Sequence, residues 1–349
     1  MERPEVSARD FHVRGFAARP VAGARLELGV DVNGRFDLEA LDETLFYDTA
    51  GGLEHTETFI SVDSARRVDA ALYASLEGAP LSRLTLSGGL RLDRVTTRSQ
   101  GGFFGDRATG NGAASGYASV SVGPFHGFGF IAQVARGFRD PALSDRYFRG
   151  PTGRGFITGN PELDPETSLQ LDLALRYTAA RWRVSAYGYR YRIDDLIERF
   201  EDDPDLFLFR NSGRARLRGV ELEAQAELAA GLELELSGHL IRGEALDDDA
   251  FLDDVPPRTL TARLTWELSR GFVQLRGALY AEDDRPGPSE QPRDGYGLVD
   301  LAASFRVVGG VELRALLRNL LDAAYRVSPD RRAVLAPGRS VLLTASIAF

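Results

Sequence analysis

Cysteine is absent from this sequence. Thiol catalysis, disulfide staples and thiolate metal sites are thereby excluded. Lysine is absent as well: all 42 basic residues are arginine, a bias that assigns no function. No apolar run reaches the ~18 residues a membrane helix needs, so any membrane crossing must use strands. The histidines His12, His55, His126 and His239 are scattered, without metal-ligand spacing. No P-loop and no nucleophile elbow occurs, so no residue is assigned a catalytic role and the chain is read as a non-enzyme. A net charge of −9 lacks the basic footprint of a nucleic-acid binder. The first residues, Met1-Glu2-Arg3-Pro4-Glu5, do not form a signal peptide. An exported protein needs one, so either the protein is cytoplasmic or the sequence begins inside a longer chain.

What is present is period two. With 43% hydrophobic and 27% charged residues the chain is expected to fold. Alternating segments recur at Val68–Leu76, Leu81–Val95, Ser115–Val122, Phe128–Phe138, Leu169–Tyr177, Trp182–Ile193, Val220–Leu228, Leu232–Arg242, Thr259–Leu268, Val273–Tyr280, Leu298–Val307 and Val311–Asn319. Weaker ones lie near Phe11–Ala18 and Arg25–Phe36, and the last is Val341–Phe349. That gives about fifteen strands and no segment with a helical period. Several reach the ~9–11 residues of a tilted membrane crossing. In the last one Val341, Leu343, Ala345, Ile347 and Phe349 share one face, and Thr344 and Ser346 the other. A strand with one apolar face that stops on Phe349 suits the end of a membrane barrel, with the aromatic ring in the interfacial girdle. An ordinary sheet strand also alternates.

The connections alternate short and long. Short turns are expected near Pro20–Ala24, Glu77–Leu81, Gly123–Gly127, Ala179–Arg181, Ala229–Gly231, Ser269–Gly271 and Val308–Gly310. Long loops are expected near Asp37–Arg66, Ser99–Ala114, Arg139–Glu166, Asp194–Ser212, Gly243–Pro257, Glu282–Gly295 and Leu320–Arg339. Tight periplasmic turns and long extracellular loops give this rhythm. Trp182 and Trp266 then fall beside short turns, at the periplasmic interface. The long loops carry grouped carboxylates, Glu201-Asp202-Asp203, Asp247-Asp248-Asp249 and Glu282-Asp283-Asp284. Such groups can hold Ca²⁺, but no EF-hand spacing occurs and a solvated loop explains them equally. No cofactor is expected.

Four motifs then stand in order. Ala135-Arg136-Gly137-Phe138-Arg139-Asp140-Pro141-Ala142-Leu143-Ser144-Asp145 is the first, and Gly159-Asn160-Pro161-Glu162-Leu163-Asp164-Pro165-Glu166-Thr167 the second. Asn211-Ser212-Gly213 leads into Arg218-Gly219-Val220-Glu221-Leu222-Glu223, and Asn319-Leu320-Leu321-Asp322-Ala323-Ala324-Tyr325 precedes the last strand. Only five Asn occur, and Asn160, Asn211 and Asn319 all lie inside these motifs. Together they resemble the C-terminal part of the β-barrel of TonB-dependent outer-membrane receptors. Leu321 stands where that family more often has an aromatic residue. The resemblance covers Val134 to Phe349 and reaches the upstream strands by pattern only.

The motif chemistry is architectural. Asn160, Pro161 and Pro165 suit a turn-rich loop entering a strand. Gly213 and Gly219 suit bulges or close approaches, and the apolar register slips across Gly219 as a bulge would make it. Asn319 and Asp322 suit a side-chain-capped turn. The resemblance implies an all-β, antiparallel transmembrane barrel portion of the bacterial outer membrane, a single domain over residues 1–349 without a plug. It implies uptake of a scarce bulky nutrient: a ferric siderophore, haem, cobalamin or a glycan. Its implied partners are outer-membrane lipid and lipopolysaccharide, and the barrel-assembly machinery through the C-terminal strand. A TonB-type energy-transducing complex would act only through a plug. Family barrels have about 22 strands, so about fifteen would leave the sheet open, with Val341–Phe349 and Phe11–Ala18 unpaired with each other. Extracellular cargo contacts are expected from Arg139, Arg146, Tyr147, Arg149 and Arg154, whose guanidinium groups suit an anion. The same arginines suit loop carboxylates or lipopolysaccharide phosphates. Tyr187, Tyr189 and Tyr191 share a face with Arg181, Arg183 and Ser185 and are expected on the lumen side, unless a bulge turns them into the outer aromatic girdle. Two other readings stay open: a smaller passive channel, and a soluble all-β binding protein.

Overall fold

The computed structural model describes residues 2–153, 155–307 and 310–347. The chain runs β1 (Glu2–Val21), β2 (Ala24–Tyr47), β3 (Leu53–Leu81), β4 (Leu84–Ser99), β5 (Arg107–Phe125), β6 (Phe128–Arg139), α1 (Leu143–Tyr147), β7 (Arg149–Thr152) and β8 (Gly155–Thr158). It continues with β9 (Glu166–Thr178), β10 (Trp182–Asp194), β11 (Ile197–Asp203), β12 (Leu206–Asn211), β13 (Ala215–Ala229), β14 (Leu232–Ala245) and β15 (Ala250–Phe251). The last are β16 (Thr259–Leu268), β17 (Gly271–Tyr280), β18 (Tyr296–Arg306), β19 (Val311–Arg318) and β20 (Ser340–Ile347). The main sheet has the order β1-β2-β3-β4-β5-β6-β9-β10-β13-β14-β16-β17-β18-β19-β20, with β15 attached to β14. These fifteen path strands match the fifteen alternating segments. β1 and β20 are the two ends of this order, so the sheet is open. Phe349 lies outside the described residues.

The chain divides into two compact units. One holds Met1–Val120, Gln133–Gln170 and Arg192–Arg214; the other holds Ser121–Ala132, Leu171–Tyr191 and Ala215–Phe349.

Burial is inverted relative to a water-soluble sheet. On β9, Leu169, Leu171, Leu173 and Leu175 are 44–54% exposed, while Gln170 and Asp172 between them are half-buried. On the ladder β16–β20 the registers Trp266↔Val273, Leu275↔Leu301, Phe305↔Leu313 and Ala315↔Leu343 place apolar side chains on one face, all exposed except half-buried Leu301 and Ala315. Val341, Leu343 and Ile347 belong to that face, and Thr344 and Ser346 lie opposite Arg314 and Glu312 on the other. The second face carries paired ions. Arg263 donates to Glu235 at 2.7 Å and Arg276 to Asp300 at 3.1 Å. In the first unit Arg14 donates to the Tyr73 hydroxyl at 2.9 Å, and Arg91 pairs with Asp31 and Asp93 at 3.3 and 2.9 Å. Large side chains left outside while charges turn inward are what an apolar solvent around the strands selects.

The apolar face also has an edge. Along β4 the exposed residues change from Leu86, Leu90 and Leu92 to Arg94, Thr96 and Arg98. On β13 they change from Leu222 and Val220 to Arg218. Each change falls toward the long connection. At the opposite ends Trp182 and Trp266 are exposed beside the hairpin turns, the position expected of an interfacial ring.

Two expectations need correction. Asp37–Arg66 is not a long loop: β2 and β3 extend through it, and only Asp48–Gly52 turns, with Asp48 accepting the N–H groups of Ala50 and Gly52 at 2.8 and 2.7 Å. Register shifts between Arg35 and Leu41 break the period-two signal that would have revealed these strands. Gly219 carries no bulge against β14, because that ladder is unbroken from Ala215 to Glu227. The apparent slip is the edge of the apolar face, where Val220 gives way to Arg218. Of its two expected roles Gly219 has the close approach: an added Cβ would lie 2.5 Å from the Tyr189 ring.

Candidate functional site

At the long-connection end of the first unit, the segment between β6 and β9 folds with the β11–β12 hairpin into a small sheet of order β11-β12-β8-β7. Its β12–β8 pairing is parallel, joining Leu206↔Phe156 and Leu208↔Thr158. A five-residue helix, α1, precedes it. Leu143 and Tyr147 of α1 pack with Val62 and Ala65 in a buried cluster flanked by Phe104 and Phe148. Here the apolar groups lie inside, as in a water-soluble core, and one ion pair, Arg146 with Asp140, is buried with them.

The motif residues hold this segment in place. Asn160 accepts the Glu162 N–H at 3.0 Å and donates to the Phe209 carbonyl at 3.2 Å. Asn211 accepts the Asp164 N–H at 2.9 Å and donates to the carbonyls of Asp164 and Asp195 at 3.0 and 2.8 Å. These two amides thus tie the loop before β9 to the β11–β12 hairpin. Pro161 offers its carbonyl to Arg146 at 2.6 Å, and half-buried Pro165 stands just before β9. Gly213, at φ +86°, makes the turn between β12 and β13 in a conformation that favours glycine, and its carbonyl accepts the Leu196 N–H. In the other unit Asn319 is buried and bonds both the N–H and the carbonyl of Ala323 at 2.9 Å, while Asp322 accepts the Arg339 N–H at 2.8 Å. The turn presents Tyr325, which stacks on Tyr296 at 4.5 Å.

The expected cargo residues divide. Arg139 makes a two-pronged pair with Glu166 at 2.9 and 3.1 Å and also reaches Asp145 and the Ile197 carbonyl at 3.2 Å. Arg146 is fully buried, with Asp140 4.0 Å away, and Tyr147 is 2% exposed with its hydroxyl 3.3 Å from Thr97. Arg139 and Tyr147 are occupied inside the unit, whereas buried Arg146 donates through Nη1 and leaves Nε and Nη2 without a hydrogen-bond partner. Arg149 differs: its guanidinium lies 4.2 Å from the Phe103 ring centre and 4.9 Å from that of Phe156. Phe103 is itself 63% exposed. Arg154 lies outside the described residues. Tyr191 donates to Asp172 at 2.8 Å, on the face opposite the exposed leucines, as expected of the tyrosine row.

Sequence reasoning missed Asp140, which accepts from Asn111 at 2.5 Å and sits 3.6 Å from Arg67. The scarcity of Asn was the available signal, since Asn111 is one of the five. It also missed Phe103 and Phe156, whose partnership with Arg149 no local spacing announces. Among the described residues no group of three or more His, Asp or Glu is arranged to hold a metal ion.

Comparison with known proteins agrees with this architecture. The family profile described as "TonB dependent receptor-like, beta-barrel" matches residues 9–320. The vitamin B12 transporter BtuB of Vibrio vulnificus (strain YJ016) is 25% identical over 234 residues, which cover 66% of this chain and 36% of BtuB. The solved structure of the copper transporter OprC superposes over 100% of this chain and 57% of its own, at a TM-score of 0.83 and 22% identity. The ferric yersiniabactin uptake receptor FyuA from Yersinia pestis superposes over 100% of this chain and 55% of its own, at 0.71 and 18% identity. The chain therefore spans little more than a third of BtuB and somewhat over half of these two structures. An inverted sheet, motif amides that hold the long-connection end, and the family profile point the same way: the chain belongs to the β-barrel family of TonB-dependent receptors, proteins of the bacterial outer membrane.

Proposed function

We propose that these strands form barrel wall for a receptor that takes up a scarce, bulky nutrient, with the segment around α1, β7 and β8 meeting the cargo. The observation that carries this reading is the exposed apolar face ending in arginine just before the long connections. That arrangement suits a wall in lipid whose far end meets water. Arg149 with Phe103 is the proposed contact pair: a guanidinium already stacked on aromatic rings suits a planar or anionic cargo. Arg139, Arg146 and Tyr147 hold the frame around it. Arg154, next to β7 in sequence, is proposed to add a further guanidinium. Energy coupling through a TonB-type complex belongs, in this proposal, to a plug and not to these strands. β20 pairs with β19 alone among the described residues, which speaks against a small self-contained passive channel.

The test is a binding panel on the refolded chain, using ferric catecholate, haem, cyanocobalamin and copper as probes. Arg149→Gln and Phe103→Ala should each weaken the bound probe by roughly tenfold, the size of a lost charged or aromatic anchor. Unchanged affinity in both variants would remove the contact assignment.

A further inference from the structure

The β2–β3 hairpin outruns its neighbour β4. β4 ends at Ser99, and its outermost pairing with β3 is Arg66↔Arg98. Beyond that pair β3 extends back to Leu53 with only β2 beside it in the sheet. Arg98 already belongs to the arginine end of the apolar face, so this extension lies past that face. Part of it is covered: Gly150 of β7 lies against Ser61, and Phe156 meets the Phe59 ring edge-on at 6.0 Å. From Leu53 to Thr58, β3 has β2 on one side and no strand on the other among the described residues. The edge is internal to the sheet, because the strand that would cover it is present and stops short.

Such an edge presents backbone N–H and C=O groups that another chain can pair with, and lysine, proline or a covering segment commonly blunts it. Leu53–Thr58 has no lysine, arginine or proline, and all six residues are exposed. Its surroundings select the strand it accepts. Between Asp37 and Ile60 stand seven carboxylates and no arginine, in a chain with 42 arginines. On β3 itself Glu57 meets only His55, at 3.7 Å, and Glu54 has no ion-pair partner among the described residues. Apolar anchors lie beside them: Phe46 stacks on His55 at 4.4 Å, and Tyr47, Leu53 and Ile60 are exposed. A second copy of this hairpin is a poor occupant, because it brings the same carboxylates and like charges on adjacent strands repel.

We infer that Leu53–Thr58 is a docking edge for a partner protein, which adds an extended, basic segment as a further strand. Backbone hydrogen bonds along the edge supply affinity, and side chains set on alternate faces supply selection. Glu54 and Glu57 choose basic side chains, and Leu53 with the Phe46–His55 pair receives apolar ones. Two independent observations meet here: a strand edge without a neighbour, and a one-signed charge around it.

Fluorescence anisotropy of a labelled octapeptide of alternating arginine and valine tests it. The peptide is titrated with the refolded full chain in detergent, with empty micelles as the blank. Heat-modifiable gel migration reads folding in the same samples. Wild type should bind the peptide, more weakly as salt is added. The same peptide with N-methylated backbone nitrogens keeps its charge but cannot donate to the edge. It should bind roughly tenfold more weakly, the scale of several lost backbone hydrogen bonds. The E54R/E57R variant, changed at exposed positions only, should also lose roughly tenfold, the scale of reversed charge contacts. Absence of binding above the blank would overturn the inference. Equal binding of the methylated peptide would overturn it as well, leaving charge attraction without strand addition. Equal binding by the folded E54R/E57R variant would place the peptide elsewhere. Self-association of the wild type that E54R/E57R abolishes would make a second copy the occupant and overturn the basic partner.

Discussion

On the β13–β14 hairpin Val220, Leu222 and Leu240 are exposed and Glu221 is half-buried, whereas around α1 Leu143, Tyr147 and Val62 are buried and Arg139 is exposed. One sequence follows two opposite burial rules. The difference lies in the solvent each region is built for. In lipid, apolar side chains gain nothing by turning inward, and the backbone ladder satisfies every N–H and C=O that lipid cannot. In water, removing apolar surface drives the packing, and α1 needs a true core to stay folded. The two regions should therefore respond differently to the same kind of change.

The largest expected effect is in the region built for water. Tyr147→Ala removes a 2%-exposed aromatic side chain and should cost about 3–5 kcal/mol, the usual range for emptying such a site. The loss should appear as rapid proteolysis between β6 and β9, equally in detergent and in vesicles, while the strands of the second unit stay protected. If protection depended on lipid, the α1 region would not be a water-facing core and the comparison would collapse.

The next effect belongs to the other rule. Leu275→Arg places a charge on the exposed apolar face, between Leu264 and Leu301 on its neighbours. It should cost up to ~2–4 kcal/mol near mid-membrane. Gln274→Arg, one residue away on the face that already carries Arg276 and Asp300, should be tolerated far better. Refolding yield into vesicles separates them, and detergent should narrow the gap. Equal yields for the two variants would mean that the exposed face does not meet lipid.

This contrast also explains which features were legible in the sequence. The fifteen path strands could be read because each keeps two unlike faces, and period two survives whichever face is outside. The extent of β2 and β3 beyond Arg35 could not, since carboxylates occupy both faces there and bulges interrupt the alternation. Helix α1, with five residues, is too short to show a helical period. The β8–β12 pairing joins residues about fifty positions apart, and no local pattern encodes it. At the site, Asn160, Asn211 and Asn319 were visible through their motifs, because an amide that bonds both a backbone donor and a backbone acceptor has few substitutes. The Arg149 sandwich was not visible, because its rings come from two other segments. Of the two roles legible for Gly219, the close approach holds and the bulge against β14 does not, because the apparent slip is the end of the apolar face.

The smallest effect tests whether the water rule also governs the connections of the second unit. Glu290 lies between β17 and β18, half-buried, accepting the N–H groups of Asp254 and Gly287 at 2.8 Å each. Burial, with Asp253 and Asp254 nearby, holds its carboxyl above its ordinary value of 4.5 despite those two hydrogen bonds. The folded loop therefore binds this proton more tightly than the unfolded chain does. The resulting stabilisation is complete below the ordinary carboxylate value and is lost as pH rises through the folded one. Glu290→Gln keeps a neutral acceptor in place and should abolish that dependence. Across about pH 4 to about pH 7, loop protection against a pH-tolerant protease should fall in the wild type relative to the variant. The fall should begin near the ordinary carboxylate value and level off once the folded group has ionised. A wild-type loop that instead gains protection over this range would show that the two N–H bonds outweigh burial. This connection would then behave as a solvated acidic loop and not as a packed one.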